Sequence, residues 1–400
     1  MPDKSGALVV GGGPTGLTAA MALAEGGIAT TLVAKQSARP DNRTTALMAG
    51  SVTALETLGV WELCRDRAAP LRFMRIVDDT GRLWRAPEVK FDAGEIDLEA
   101  FGYNIENRIL VDALERRAQS LPALRLIDGE AAAVEPGSDH IAVTLKDGTQ
   151  LSAPLLTAAD GRHSLCRQAA GIGFDQRAYR QVALTLSLSH SRPHRDTSTE
   201  FHTPSGPFTL VPLPGQRSSL VWVLDGGNAD AFAAFDDSEL ASEIERASHS
   251  ILGKITVEPG RGLFPLSTAT AHRFGASRIA LVGEAAHVIP PIGAQGLNLG
   301  LRDAATIGEL AVAAHRDGRD IGGDDLLAAY DRARRTDITS RGVAVDLLNR
   351  TLLTDFLPVQ GLRGLGLYMI DRIGPLRRAV MREGIAPAAA QPGLMRGEAL

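Results

Sequence analysis

A short apolar run, Leu8-Val9-Val10, leads directly into Gly11-Gly12-Gly13-Pro14-Thr15-Gly16 and then into Leu17 to Ala24, a stretch with no helix breaker. The order predicts a strand, a tight glycine loop and a helix, the context in which G-x-G-x-x-G acquires a physical meaning. Gly11 permits the turn, Gly13 lets backbone approach a diphosphate, and Gly16 allows the helix to pack closely on the strand. The helix N-terminus, with Pro14 and Thr15 in its first turn, supplies unpaired N–H groups and partial positive charge to that diphosphate. Glycine-rich turns also serve backbone geometry alone. The motif therefore points to a dinucleotide site without selecting among NAD, NADP and FAD.

The second parallel strand is predicted at residues 29–34, and an acidic residue at its end, roughly 20 positions past the last glycine, should accept from the ribose hydroxyls. This chain offers Ala34, Lys35 and Gln36 instead. Lys35 reads either as a partner for the 2′-phosphate of NADP or as an exposed lysine at a strand end. Next, Arg43 is expected to open a helix from a polar loop, with Val52, Leu55 and Leu58 at helical spacing. It reads as a surface charge or as a contact to a cofactor phosphate or ribityl chain. Residues 72–86 read as two strands joined by Asp78-Asp79-Thr80-Gly81. A helix is expected to follow Arg108 and end near Ser120.

An apolar strand then runs into Ala159-Asp160-Gly161, with Ser164 placed to cap the next helix. From about residue 178 to 270 the texture turns to short alternating strands, which predicts a separate sheet walling the nucleotide domain. Such junctions favour ligands. His190 and His194 in this region read as solvated loop residues. Further on, Gly283-Glu284-Ala285-Ala286-His287 follows another apolar strand, and Pro290-Pro291-Ile292-Gly293-Ala294-Gln295-Gly296-Leu297-Asn298 leads into a long helix. An acidic residue at a strand end and a second glycine-rich helix start make a second dinucleotide-facing surface.

Composition removes several function classes. A net charge of −5 and a pI near 6.0 give a nucleic-acid partner no electrostatic support. The two cysteines, Cys64 and Cys166, stand in no metal or redox spacing, and the nine histidines form no ligand pattern, so no metal is expected. Reduced cysteines, and a first strand too close to the N-terminus to leave room for a signal peptide, suit a cytoplasmic protein. No apolar run reaches the ~18 residues of a membrane span. Past residue 323 the sequence reads as helical, with arginines among the apolar residues of 345–382. Such faces lie on an anionic membrane surface or pack on their own protein.

Taken together, Gly11 to Gly16, Ala159-Asp160-Gly161 and Gly283-Glu284 through Asp303 resemble the flavin-dependent aromatic hydroxylases of the p-hydroxybenzoate hydroxylase type, nearest to their ubiquinone-biosynthesis branch. Three motifs in family order cover residues 6 to about 310, and Glu106-Asn107-Arg108 and Phe208 to Pro214 also fit that branch. The resemblance implies an α/β fold: a Rossmann-like FAD-binding domain (1–75, 101–177 and 271–322), an inserted antiparallel β-sheet substrate domain (76–100 and 178–270) and a C-terminal helical segment (323–400). It implies FAD as cofactor and NADH or NADPH as electron donor. The diphosphate would lie at Gly11 to Gly16, with Arg43 and Arg108 toward the flavin and Asp160-Gly161 in a loop coupling flavin to NAD(P)H. Glu284, after Gly283, would hold the ribityl chain, and Pro290 to Gly296, with Leu297 and Asn298, would border the flavin ring. His287, Pro290 and Gln295 are the catalytic candidates, with His287 either a general base or a structural hydrogen-bonding residue.

The implied reaction is hydroxylation of a polyprenylated phenol by O2 in ubiquinone biosynthesis. The alternatives are a soluble phenol as substrate, or a flavin-poor binding subunit of a quinone-making complex. A homo-oligomer and peripheral attachment to the inner membrane remain open. Three departures stand out: Ala34 in place of the acid, Glu284 where the family has aspartate, and Gly293-Ala294-Gln295-Gly296 in place of Ala-Gly-Gln-Gly. The first two predict a loosened hold on FAD.

Overall fold

A computed structural model of the chain describes residues 3–4, 6–35, 41–81, 87–290, 294–353, 372–385 and 391–400. Strand Ala7–Val10 is wholly buried because both of its faces are covered, which is why its sequence is continuously apolar. It pairs in parallel with Thr30–Ala34 on one side and Leu155–Ala158 on the other. Leu124–Asp128 and Ile279–Leu281 extend this sheet in parallel, and Gly275–Ala276 closes its edge antiparallel. Helix Pro14–Glu25 is buried from Gly16 to Ala24, enclosed between this sheet and helix Gln295–Arg316.

The second large element is a nine-stranded sheet. Its main order runs His287–Val288, Gly262–Ala271, Phe174–His190, Arg217–Asp225, Gly206–Leu213, Thr197–Thr203, Phe73–Asp78 and Val89–Asp92. Strands with one inward face form its own core around Leu184, Phe201, Phe208 and Leu220. Two helices, Gly226–Ala234 and Asp237–Ala247, interrupt what the sequence reads as strands alone. Phe174–His190 spans 17 residues and crosses from the nucleotide region into this sheet. The expected boundaries at 75/76, 177/178 and 270/271 therefore each fall inside a continuous strand.

Three local expectations are corrected. Thr44–Met48 is a strand paired with Gly102–Glu106, and the helix begins only at Ala49. Arg43 thus precedes a strand: apolar residues at helical spacing continue into Leu47, but pairing with a distant strand decides the local structure. The partner of Phe73–Asp78 is Val89–Asp92, in the register Phe73↔Asp92, later than the expected turn at 78–81 would place it. His190 is buried rather than solvated, its Nδ1 2.8 Å from Arg192 O and its Nε2 3.0 Å from Ser218 Oγ. His194 is also held, its Nε2 3.0 Å from Leu213 O.

Helices Asp324–Leu353 and Gly374–Ile385 follow as expected past 323. The apolar residues 345–370 read from the sequence as a membrane or packing face lie outside the residues whose side chains are described. Among the described residues, no helix is long and apolar enough to cross a membrane.

Candidate active site

A cavity of about 500 Å³ is lined at one end by the glycine loop and at the other by the nine-stranded sheet. The loop is shaped by two glycines that have no alternative. Gly11 has φ 116°, and a Cβ there would lie 2.2 Å from the Ala159 carbonyl oxygen; a Cβ on Gly16 would lie 1.9 Å from Gly11 O. Gly13 differs, with extended backbone and open space where its Cβ would point. That space belongs to the cavity, which Gly13 to Gly16 line.

Helix Pro14–Glu25 has no side-chain cap and no acidic residue in its first turn. The same holds for Gln295–Arg316, whose N-cap Ala294 sits at φ 54° and whose Ala294, Gly296 and Leu297 line the same cavity. Two helix N-termini without side-chain caps therefore bring positive potential and backbone N–H groups to one cavity. An anionic dinucleotide such as FAD fits both the open Gly13 cradle and these donors.

Between the two helix starts lies a polar cluster. Arg43 grips Asp41 with both ends of its fork, Nε to Oδ1 and Nη2 to Oδ2, each at 2.8 Å. Asn107 Nδ2 donates to Asp41 Oδ2 at 2.9 Å, and its Oδ1 accepts from Thr45 Oγ1 at 2.5 Å. Burial pushes the Asp41 carboxyl up, but these bonds from Arg43 and Asn107 outweigh it and hold it at about 2. Asp41, Thr45 and Asn107 all line the cavity with Arg43. The sequence singles out Arg43; Asp41, two residues before it, acquires a role only through Asn107, 66 residues later at the start of helix Asn107–Gln119.

The other candidates divide. Glu284 lines the cavity, half-exposed, with Oε2 3.4 Å from Arg162 Nε. Gly161 and Gly283 line it too. Asp160 is engaged within its own loop, accepting from Ser164 Oγ at 2.5 Å and from Cys166 N at 3.1 Å, while Ser164 caps helix Leu165–Ala169. Arg108 is outside the lining and donates to Glu106 Oε2 at 2.6 Å. Lys35 is also outside it, 75% exposed, with Nζ 3.9 Å from Glu130. Asn298 is buried and clasps the helix start to strand Thr44–Met48: Nδ2 donates to Ala46 O at 2.8 Å, and Oδ1 accepts from Met48 N at 2.8 Å. Pro290 is buried off the cavity, Gln295 opens the second helix, and Pro291 and Gly293 lie outside the described residues.

His287 lines the cavity, yet its Nε2 lies 2.7 Å from Oδ2 of the fully buried Asp303. The same oxygen accepts from Gly283 N at 2.9 Å, and Asp303 Oδ1 accepts from Arg334 Nε at 2.6 Å. Burial raises the Asp303 carboxyl, but the charges facing it, with those hydrogen bonds, bring it below the usual range. An imidazole so tied orients the strand end. Asp303 closes the motif read from the sequence, but its partner Arg334 comes from another helix.

Toward the nine-stranded sheet the lining mixes apolar side chains, Met74, Val211 and Val221, with the hydroxyls of Thr185, Ser198, Thr209 and Ser219, and Leu71 and Phe101 flank it. Among the described residues, no group of His, Cys, Asp and Glu could hold a metal.

Comparison with known proteins matches residues 4–341 to the FAD binding domain family. Ubiquinone hydroxylase UbiL of Rhodospirillum rubrum is 36% identical over 98% of this chain and 92% of its own length. The 3-demethoxyubiquinol 3-hydroxylase of Escherichia coli is 31% identical over 94% of this chain and 96% of its own. Among solved structures, p-nitrophenol 4-monooxygenase PnpA of Pseudomonas putida shares the fold, with a TM-score of 0.79 at 19% identity over 96% of this chain and 98% of that one.

Proposed function

Since the chain belongs to the FAD binding domain family, in the branch that holds ubiquinone hydroxylases, we propose that it uses FAD, NAD(P)H and O2 to hydroxylate the ring of a polyprenylated phenol on the route to ubiquinone. The observation that carries this reading is one cavity that joins the Gly13 cradle to a sheet wall of aliphatic and hydroxyl side chains. A cofactor anchored at one end and an apolar ring at the other then share one water-poor space. When bound, FAD supplies electron uptake from NAD(P)H and the activation of O2.

The chain's own residues bind, orient and exclude. The N–H groups of the Gly13 to Gly16 loop hold the diphosphate, and Glu284 accepts from hydroxyls of the ribityl chain. Arg43, Asp41 and Asn107 shape the middle of the cavity, while Leu220, Val221 and Phe101 keep water from the ring. A polyprenyl tail resides in a bilayer, so the protein works at a membrane surface. Exposed Ile373 and Leu376 beside exposed Arg378 and Arg382, at helix Gly374–Ile385, support such contact.

Quinone profiling by mass spectrometry in a deletion strain tests the reading. An under-hydroxylated prenylated precursor should accumulate and vanish on complementation with the wild type, but not with Gly13→Trp, which fills the cradle. An unchanged lipid profile in the deletion strain overturns the proposal.

A further inference from the structure

One carboxylate stands in the sheet wall of the cavity. Glu200, on strand Thr197–Thr203, lines the cavity beside Ser198 of its own strand and opposite Thr209, its partner in register on Gly206–Leu213. Its Oε1 accepts from His202 Nε2 at 2.9 Å, and its Oε2 accepts from Thr209 Oγ1 at 3.3 Å. His202 is itself buried, and its Nδ1 has no hydrogen-bond partner among the described residues. The imidazole and the hydroxyl hold the carboxylate in one orientation, while a carboxylate oxygen accepts more than one bond. Oε2 therefore retains a lone pair for a donor arriving in the cavity.

Val211 and Val221 line this stretch together with the hydroxyls of Ser198, Thr209 and Ser219, and Glu200 is its one ionisable acid. The donor that an apolar, ring-shaped substrate brings is its phenolic hydroxyl. We propose that Glu200 is the general base that takes the phenol proton during hydroxylation, with His202 and Thr209 as its positioning residues. This rests on the hydroxylase reading above.

The step balances as follows in atoms and charge. A phenol is a far weaker acid than a carboxylic acid, so the ground state is a hydrogen bond from phenol O–H to Oε2. As the ring gives electrons to the incoming oxygen, the hydroxyl becomes strongly acidic. Its O–H bond breaks, the proton passes to Oε2, and the electron pair of that bond moves into the ring. When the ring C–H proton leaves to solvent and aromaticity returns, Glu200 gives its proton back to the product oxygen. The carboxylate is regenerated; O2 is the oxidant, one of its atoms entering the ring and the other leaving as water with the two electrons that NAD(P)H supplies. The position of Glu200 also selects substrates, since an apolar ring lacking a hydroxyl leaves Oε2 without a donor.

The test uses FAD-loaded full-length protein with a short-chain 2-prenylphenol, comparing the wild type with Glu200→Gln and Glu200→Asp. Glutamine keeps the size and still accepts from Thr209, but cannot take the proton. Glu200→Gln should keep its FAD content and thermal midpoint and leave KM within about twofold. Its hydroxylation kcat should fall by about 10²-fold or more, the range lost with a general base, with reducing equivalents diverted to hydrogen peroxide. The acid limb of the wild-type pH–kcat profile should disappear in Glu200→Gln and return in Glu200→Asp. A Glu200→Gln enzyme with wild-type kcat and an unaltered acid limb overturns the assignment while leaving the hydroxylase reading intact. Loss of FAD or of thermal stability in both variants assigns Glu200 a structural role and overturns it too. A wild type that oxidises NAD(P)H no faster with the prenylphenol and forms no hydroxylated product overturns the reading beneath it.

Discussion

Nε2 of His287 lies 2.7 Å from Oδ2 of Asp303, and both side chains are buried at the wall of the candidate active site. Asp303 is the hub: it also receives Arg334 Nε at 2.6 Å and the backbone N–H of Gly283 at 2.9 Å. Arg334 in turn donates through Nη1 to Asp337 at 2.8 Å. The loop carrying Glu284 and the helix carrying Asp303 are thus fixed to a third element through one carboxylate.

Removing that carboxylate's charge should be severe. In Asp303→Asn the Arg334 guanidinium, itself buried, loses its charged partner at Nε. Breaking a buried pair on one side costs about 3–5 kcal/mol. We expect that loss in denaturant unfolding. His287→Gln should cost less, about 1–3 kcal/mol, because Asp303 keeps Arg334 and Gly283. Equal losses in the two variants would show that the imidazole, and not the ion pair, secures the loop.

The glycine loop separates a binding effect from a folding effect. A side chain at Gly13 meets nothing within 4 Å and its backbone is extended, so Gly13→Val should fold with near wild-type stability and fill the cradle. FAD affinity, followed by quenching of flavin fluorescence, should drop by tenfold or more, about 1.4 kcal/mol. Gly11→Ala should behave in the opposite order, losing stability first, since φ 116° and the Ala159 carbonyl 2.2 Å away leave no room for a methyl group.

This loop is legible in the sequence because strand, turn and helix are contiguous, with Gly11 and Gly16 answering steric demands and Gly13 leaving the cradle open. The same is true of Asp160 and its capping Ser164, four positions apart. What the sequence concealed is non-local. Thr44–Met48 carries an apolar pattern that continues a helix, and only pairing with Gly102–Glu106 makes it a strand. His190 stands in a polar stretch, yet Ser218 of a neighbouring strand buries it. Glu200 and His202 alternate correctly for one face of a strand, a signal that was present, but their cavity exists only once two sheets meet. Asp41 gains its role from Asn107, 66 residues later.

Asp41 also makes the acid stability of the site calculable. Its carboxyl sits at about 2 in the folded chain, below the unfolded value of 3.8. The folded state therefore gains stability from it that is complete above about pH 4 and lost as the pH falls through 4 toward 2. The full shift would correspond to roughly 2 kcal/mol. The side chain is 36% exposed, and solvent screening reduces the contribution to about 1 kcal/mol. Urea unfolding at pH 6 and pH 3 should show a smaller loss of stability in Asp41→Asn than in the wild type. An identical loss in both would mean that the Arg43 contact contributes nothing to folding.

Ala34 offers the complementary gain. It ends strand Thr30–Ala34 next to the loop, with its Cβ 2.5 Å from the point where a Cβ on Gly12 would stand. The strand end itself, Ala34 and Lys35, carries no acidic side chain for the ribose hydroxyls; the carboxylates nearby are Asp128, in register with Ala34 on the neighbouring strand, and Glu130, which faces Lys35. In Ala34→Glu a carboxylate would extend past Gly12, which has no side chain to obstruct it. A hydrogen bond to a charged group contributes about 1.5–3 kcal/mol, so FAD should bind about tenfold tighter or more. The gain should appear as slower loss of flavin on gel filtration and a lower Kd in titration. Because the substitution adds an acceptor at the ribose and leaves the cavity wall unchanged, turnover at saturating FAD should stay at the wild-type rate. A variant with unchanged affinity would mean that the ribose lies away from the end of this strand, and the dinucleotide would then follow a different path across the sheet from the one the glycine loop implies.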